Sequence, residues 1–108
     1  MQRGRDEERR AARHYRLRGY RVLGRNVWAG GNELDLIVRR GRRLVFVEVK
    51  AKSGAGYGHP AEMVDAEKLR RLERAAEAWL AARPAERALE CRFEVAAVRP
   101  GGLERLPL

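Results

Sequence analysis

Cysteine is almost missing from this chain: Cys91 stands alone among 108 residues. That excludes an internal disulfide and any zinc site built on thiolates. In its apolar surroundings Cys91 is expected to pack as a small hydrophobe. His14 has no second histidine at metal-ligand spacing, so it is expected to be a surface or packing residue. No apolar run is long enough to cross a bilayer, and Met1-Gln2-Arg3-Gly4-Arg5-Asp6-Glu7 does not resemble a signal peptide. A membrane-surface role would need a basic amphipathic helix with large apolar residues, and none stands out. The expectation is a cytoplasmic protein with no membrane partner. Lysine is scarce too. Of 24 basic residues only Lys50, Lys52 and Lys68 are lysine, so arginine serves wherever a generic positive charge is wanted. Lys50 is then a place where a compact ammonium is needed, one whose pKa burial can lower.

The charge that is present has one dominant sign. A net charge of +9 and a pI near 10.9 make a polyanion the natural partner. Nucleic acid fits best because the charge is spread along the chain. A GC-rich genome or a hot habitat would also enrich arginine. The length suits one domain, residues 1–108, with a single core.

Residues 33–50 read as two short strands with acids set among apolar residues. Charge in such a setting is costly unless it is paired, neutralised or bound to metal. Gly41 can take positive φ in a tight turn. An even-numbered loop centred on Arg40-Gly41 sets Ile37 opposite Leu44, Asp35 opposite Phe46 and Glu33 opposite Glu48. Glu33, Asp35, Glu48 and Lys50 then share one face, with Asp35 and Glu48 as diagonal neighbours roughly 7–8 Å apart. An odd loop would send the acidic pairs to opposite faces. Leu34, Leu36, Val38, Val45, Val47 and Val49 would fill the other face, covered by helices. Paired carboxylates beside a lysine suit a divalent ion acting on phosphate. Affinity for that ion is expected to fail as pH drops through the usual carboxylate range, about 4. The alternative is a solvated acidic face paired with arginines.

Around this hairpin, residues 6–18 read as a helix opened by Asp6 and closed by Gly19. Glu8, Ala11, Ala12 and Tyr15 fall on its inward face. Glu8 either points toward the acidic strands or offsets the dipole of the helix start. Residues 20–28 form a first strand, in which Trp28 packs in the core or at an edge, or stacks on a base. The glycine-rich stretch 51–59 is a connector or a basic loop for a nucleic-acid backbone, offering Lys52, Ser53 and Tyr57. It lacks the Gly-Lys-Ser/Thr of a phosphate loop. Pro60 opens a helix running to about Ala82, before Pro84. Lys68 lies inside its apolar arc, reaching the acids or snorkelling along the edge. Residues 91–98 form a further strand, and 103–108 add a short edge strand or trail loosely.

Asp35, then Glu48-Val49-Lys50 in adjacent strands, resembles the signature of restriction-endonuclease-like nucleases. More closely, the chain resembles the YraN family of small bacterial proteins, which are similar to Holliday-junction resolvases. The matching stretches are Glu8-x-x-Ala11 to Gly19-Tyr20, Arg25-Asn26, Glu33-Leu34-Asp35-Leu36-Ile37 and Leu44 to Lys50. They continue through Tyr57-Gly58, Lys68 to Leu72 and Arg92-Phe93-Glu94-Val95. Asn32 and Glu94 depart from the family's usual glycine and aspartate.

The resemblance implies an α/β, restriction-endonuclease-like mixed sheet flanked by helices, in the order helix, three strands, helix, strand. It implies Asp35 and Glu48 as ligands of Mg²⁺ or Mn²⁺ and Lys50 as the catalytic lysine. Glu8 and Glu33 would be auxiliary acids, Glu33 able to hold an ion, with Lys68 behind them. The expected function is a metal-dependent endonuclease on DNA, branched or Holliday-junction DNA included, with a homodimer suited to two symmetric cuts. The alternative is a non-catalytic nucleic-acid-binding module of the same fold.

Overall fold

The computed structural model describes the backbone of residues 2–51 and 63–108, with side chains from Arg5 onward within those ranges. Lys52, Ser53, Tyr57 and the expected helix start at Pro60 lie outside the described residues. Among the described residues eight elements follow in order: α1 (Gln2–Leu17), β1 (Arg21–Ala29), β2 (Asn32–Arg40), β3 (Arg43–Ala51), α2 (Ala66–Ala81), α3 (Pro84–Arg87), β4 (Glu90–Arg99) and β5 (Gly102–Pro107). The sheet order is β1-β2-β3-β4-β5. β3 and β4 are parallel and the other neighbours antiparallel, so the sheet is mixed, with helices on both sides. The α/β class and the order helix, three strands, helix, strand hold, with α3 and β5 added.

Both long helices begin elsewhere than the sequence suggested. α1 starts at Gln2, and Asp6 sits within it, paired with Arg9 at 3.4 Å. Its end is as expected. Gly19 takes φ +90, and Gly19 and Tyr20 donate their backbone N–H groups to the carbonyls of Arg16 and Tyr15. That is the Schellman arrangement, which needs a left-handed residue. α2 starts at Ala66 because Asp65, in extended conformation, caps it by accepting the Lys68 N–H at 2.8 Å. A continuous helix from Pro60 is thereby overturned.

The β2–β3 turn corrects the expected register and keeps its parity. Gly41, at φ +60, occupies the first central position, so the loop is Gly41-Arg42 and Arg40 faces Arg43. Every pairing moves by two residues: Ile37 meets Phe46, not Leu44, and Glu33 no longer meets Glu48. An even shift leaves the side chains of the paired stretch, from Leu36↔Val47 to the turn, on their expected faces. The ladder ends at Leu36↔Val47. Beyond that point β2 continues with β1, as far as Ala29↔Asn32, while β3 continues with β4, as far as Ala51↔Val98. The sheet forks.

The fork divides the core. Leu36, Val38, Val45 and Val47 pack under Ala11, Ala12 and Tyr15 of α1. Ile37, Leu44, Phe46 and Val95 pack under Leu72, Ala75, Ala76 and Trp79 of α2. Leu34 was expected beside Leu36 but joins the α2 cluster with Val27 and Ala29. The β1–β2 hairpin tip has swung toward α2. Its turn presses on that helix so closely that a Cβ on Gly30 would lie 2.8 Å from the Arg74 carbonyl oxygen. Trp28 alternates with Val27 and Ala29 and therefore points outward, 73% exposed, not into the core. Cys91 is also exposed, because the buried stretch of β4 begins only at Glu94.

A polar network ties α1 to the far edge of the sheet. Tyr15 donates its hydroxyl to Glu94 at 2.7 Å, and Arg105 of β5 donates to both Glu94 oxygens at 2.9 and 3.1 Å. Arg105 also reaches the Tyr20 hydroxyl at 3.2 Å. Burial pushes the Glu94 carboxyl up, but the bonds from Arg105 and Tyr15 outweigh it and hold the group below its usual range. Burial first, and then the same carboxylate, drive the Tyr15 hydroxyl well above the ordinary tyrosine value.

Two stability predictions follow from these contacts. Gly30→Ala meets both a left-handed φ of +56 and the α2 backbone, so chemical denaturation should show a loss of about 2 kcal/mol or more. Gly31→Ala has only the φ penalty, so it should cost less. Glu94→Gln strands the half-buried Arg105 and should cost about 2–4 kcal/mol at pH 7. Because the Glu94 pKa is depressed in the fold, its stabilisation exists above the unfolded value and is lost as pH falls through the folded one. Wild type and the variant should therefore converge in stability in strong acid.

Candidate metal centre at the fork

The site grows from an unpaired backbone donor. Where β3 loses β2, the Val49 N–H has no ladder partner on that side, and Asp35 Oδ2 accepts it at 2.9 Å. This bond draws the Asp35 carboxylate into the gap between the strands. Glu33 precedes it on β2, and Glu8 arrives from α1. One carboxylate oxygen from each of Glu8, Glu33 and Asp35 lies within 4.8 Å of the others. Glu33 is exposed, whereas Glu8 and Asp35 are half-buried. A cluster of this size could hold a metal ion, and an all-carboxylate donor set suits a hard divalent cation.

Glu48 stands outside that trio. It is only 6% exposed, and its carboxylate meets two ammonium groups, Lys50 Nζ and Lys68 Nζ, each at 3.6 Å. Lys68 comes from the first turns of α2, so it reaches the acids and does not simply snorkel outward. The Glu48 charge is nevertheless the strongest acting on Asp35, ahead of those of Glu8 and Glu33, so the two expected ligands still interact. Asp35 lies in the fork between the strands with the α1 acid beside it, while Glu48 turns to the α2 lysine. The expected picture assumed unbroken pairing between β2 and β3, and pairing ends one step before Asp35.

Asp35 records the crowding. Burial first, then the Glu48 charge, and more weakly those of Glu8 and Glu33, push its pKa up to about 7, against the opposing bond from Val49. The expected window for ion binding moves accordingly. A cation must displace a proton from Asp35, so affinity should already weaken as pH falls below neutrality, well above the ordinary carboxylate range.

Of the residues singled out in the sequence, the structure brings together Glu8, Glu33 and Asp35, and pairs Glu48 with Lys50 and Lys68, with the Glu48 charge also felt at Asp35. Sequence reasoning missed the Val49 N–H, and no side-chain pattern could have signalled it.

The raised pKa has a sign that can be checked without metal. Folded Asp35 holds its proton more tightly than the unfolded chain does. Its contribution to stability is full below the unfolded value of 3.8 and disappears as pH rises through about 7. In EDTA, Asp35→Asn should melt several degrees above wild type at pH 8, and the two should approach one another toward pH 5. The amide oxygen can still accept from Val49. A variant less stable than wild type at pH 8 would contradict the strained-acid description.

A model of the uncharacterised protein family UPF0102 matches residues 7–98. The chain is 46% identical over 99 residues to a UPF0102 protein of Symbiobacterium thermophilum, covering 92% of this chain and 83% of the relative. It is 45% identical over 94 residues to one from Syntrophotalea carbinolica, covering 87% and 76%. A UPF0102 protein of Chlorobaculum tepidum is 42% identical over 95 residues, covering 88% and 73%. The matched residues 7–98 take in both groups at the fork, and the chain belongs to the UPF0102 family, the one to which the YraN resemblance points.

Proposed function

We propose that this chain is a Mg²⁺- or Mn²⁺-dependent endonuclease acting on DNA, branched DNA among its substrates. The observation that carries the reading is the convergence of Glu8, Glu33 and Asp35 within 4.8 Å, with Asp35 pinned by Val49 at 2.9 Å. Three carboxylates so close repel one another, and a divalent cation would offset that repulsion. A bound ion would lower the pKa of a water and neutralise charge on the scissile phosphate. Asp35 is the central ligand, and Glu8 and Glu33 complete the oxygen set. Glu48 is held by Lys50 and Lys68, and it supplies a further carboxylate when a lysine turns to the phosphate. Lys50, on the same strand, orients the attacking water or the phosphate. Lys52, Ser53 and Tyr57 are assigned to the nucleic-acid backbone, and a homodimer would offer two forks to a four-way junction.

Forked, flapped and four-way DNA incubated with Mn²⁺ should be cut. Asp35→Ala and Lys50→Ala should lower that rate by at least about 100-fold while binding in EDTA persists, since both residues act on the transition state. Cleavage by Asp35→Ala at the wild-type rate would assign the activity elsewhere. A wild-type protein that binds branched DNA yet never cuts it, whichever divalent ion is supplied, is the non-catalytic module of the same fold.

A further inference from the structure

Residues 9–32 and 36–47 contain eleven arginines and no aspartate or glutamate. The fold gathers part of this charge at the end of the sheet away from the fork. One cleft of about 340 Å³ is lined by Arg21, Arg39 and Arg40 together with Gly19 and Gly41. A second, of about 350 Å³, takes Arg10 and Arg13 from α1 and Arg18 from the turn that follows it. The two are linked where Arg40 donates to the Arg18 carbonyl at 2.9 Å.

The arrangement works against folding. Arg21 and Arg39 are direct cross-strand partners, and so are Arg40 and Arg43. Like charges placed opposite one another destabilise a sheet. Among the described residues, none of Arg13, Arg18, Arg21, Arg39 and Arg40 forms an ion pair with a carboxylate. Three of these guanidinium groups, those of Arg18, Arg39 and Arg40, are nevertheless held by neutral partners. Arg39 Nε donates to the Gly41 carbonyl at 2.8 Å, and Arg40 lies over the Tyr20 ring at 4.9 Å. Such contacts fix direction without cancelling charge, and each guanidinium keeps donors for an oxyanion. The outer side of α2 differs: acids and arginines alternate there, and Arg71 pairs with Glu67 at 3.1 Å.

The geometry points to this end of the molecule as a second binding surface, one that holds the phosphodiester backbone of a nucleic acid. Arg40 follows Asp35 by five positions on β2, and Arg18, just past the end of α1, follows Glu8 by ten. Both spacings place the surface about 15 Å from the fork, or about four to five base pairs along a duplex. A duplex engaged at the fork is long enough to reach this surface as well. The inference takes its polymer from the proposed function but does not depend on cleavage.

The test measures binding of a short DNA duplex by fluorescence anisotropy in EDTA, across a salt series. Arg21→Gln with Arg39→Gln should weaken binding about tenfold and reduce the slope of log K against log salt by about 2. Its melting temperature at low salt should equal or exceed that of wild type, because a repulsive pair is gone. Arg40 is left in place for its packing on Tyr20. Arg70→Gln with Arg74→Gln, on α2, removes the same charge and should change the slope by less than about 1. Equal losses in the two double variants would mean that only bulk charge matters, and no loss in the first would place the backbone elsewhere. Either result overturns the surface while leaving the nuclease reading to the cleavage assay. Loss confined to the first variant supports the surface even if the wild type never cuts. Absence of any DNA binding overturns it outright.

Discussion

The bond from the Val49 N–H to the Asp35 carboxylate organises the site end of this molecule. It exists because β2 and β3 stop pairing after Leu36↔Val47. A backbone donor left without a partner in a part-buried gap is costly, and a side-chain oxygen that fills the gap removes the cost. In doing so it fixes an anion within a crowd of other acids. The separation that creates the donor also lets the β1–β2 tip swing onto α2, where Gly30 makes the close contact. Fold and candidate centre share one geometric cause.

The rest of the scaffold holds the fork open. On one side α1 is anchored through Tyr15 to Glu94 and Arg105, joining the first helix to the last two strands. That bridge sets where Glu8 falls. On the other side Phe46 packs edge-on against Trp79 and stacks with Phe93, seating α2 so that Lys68 meets Glu48. Each helix thus delivers one charged residue to the gap, an acid from α1 and a base from α2. Acids gather at the fork, and arginines that form no ion pair among the described residues line a cleft at the β2–β3 turn.

Family membership and geometry bear on different questions. UPF0102 membership rests on identity spread over most of the chain. The case for a nuclease rests on a handful of oxygens and ammonium groups and on their distances. A fold can host many activities, and a site argues for one only through its chemistry.

Much of this was legible in the chain itself. Alternation in residues 33–50, the glycine at 41 and the apolar arc of α2 specify strands, a tight turn and a covering helix, because periodicity and turn chemistry are local properties. Parity was legible too, since an even loop keeps side chains on their faces whichever two residues form it. The exact register was not. It depended on which residue took positive φ at the turn, and Gly41 at the first central position shifted every partner by two. Trp28 and Cys91 read as packing residues from composition and lie exposed, because burial depends on where neighbouring elements end. The sequence by itself determined the residue types, their alternation and the sign of the charge, all of which are carried by single residues and their near neighbours. Only the tertiary structure decided that β2 and β3 part at Asp35, that Glu8 joins Glu33 there and that Glu48 turns to two lysines. Those outcomes depend on which elements, distant along the chain, win the competition to pair and pack.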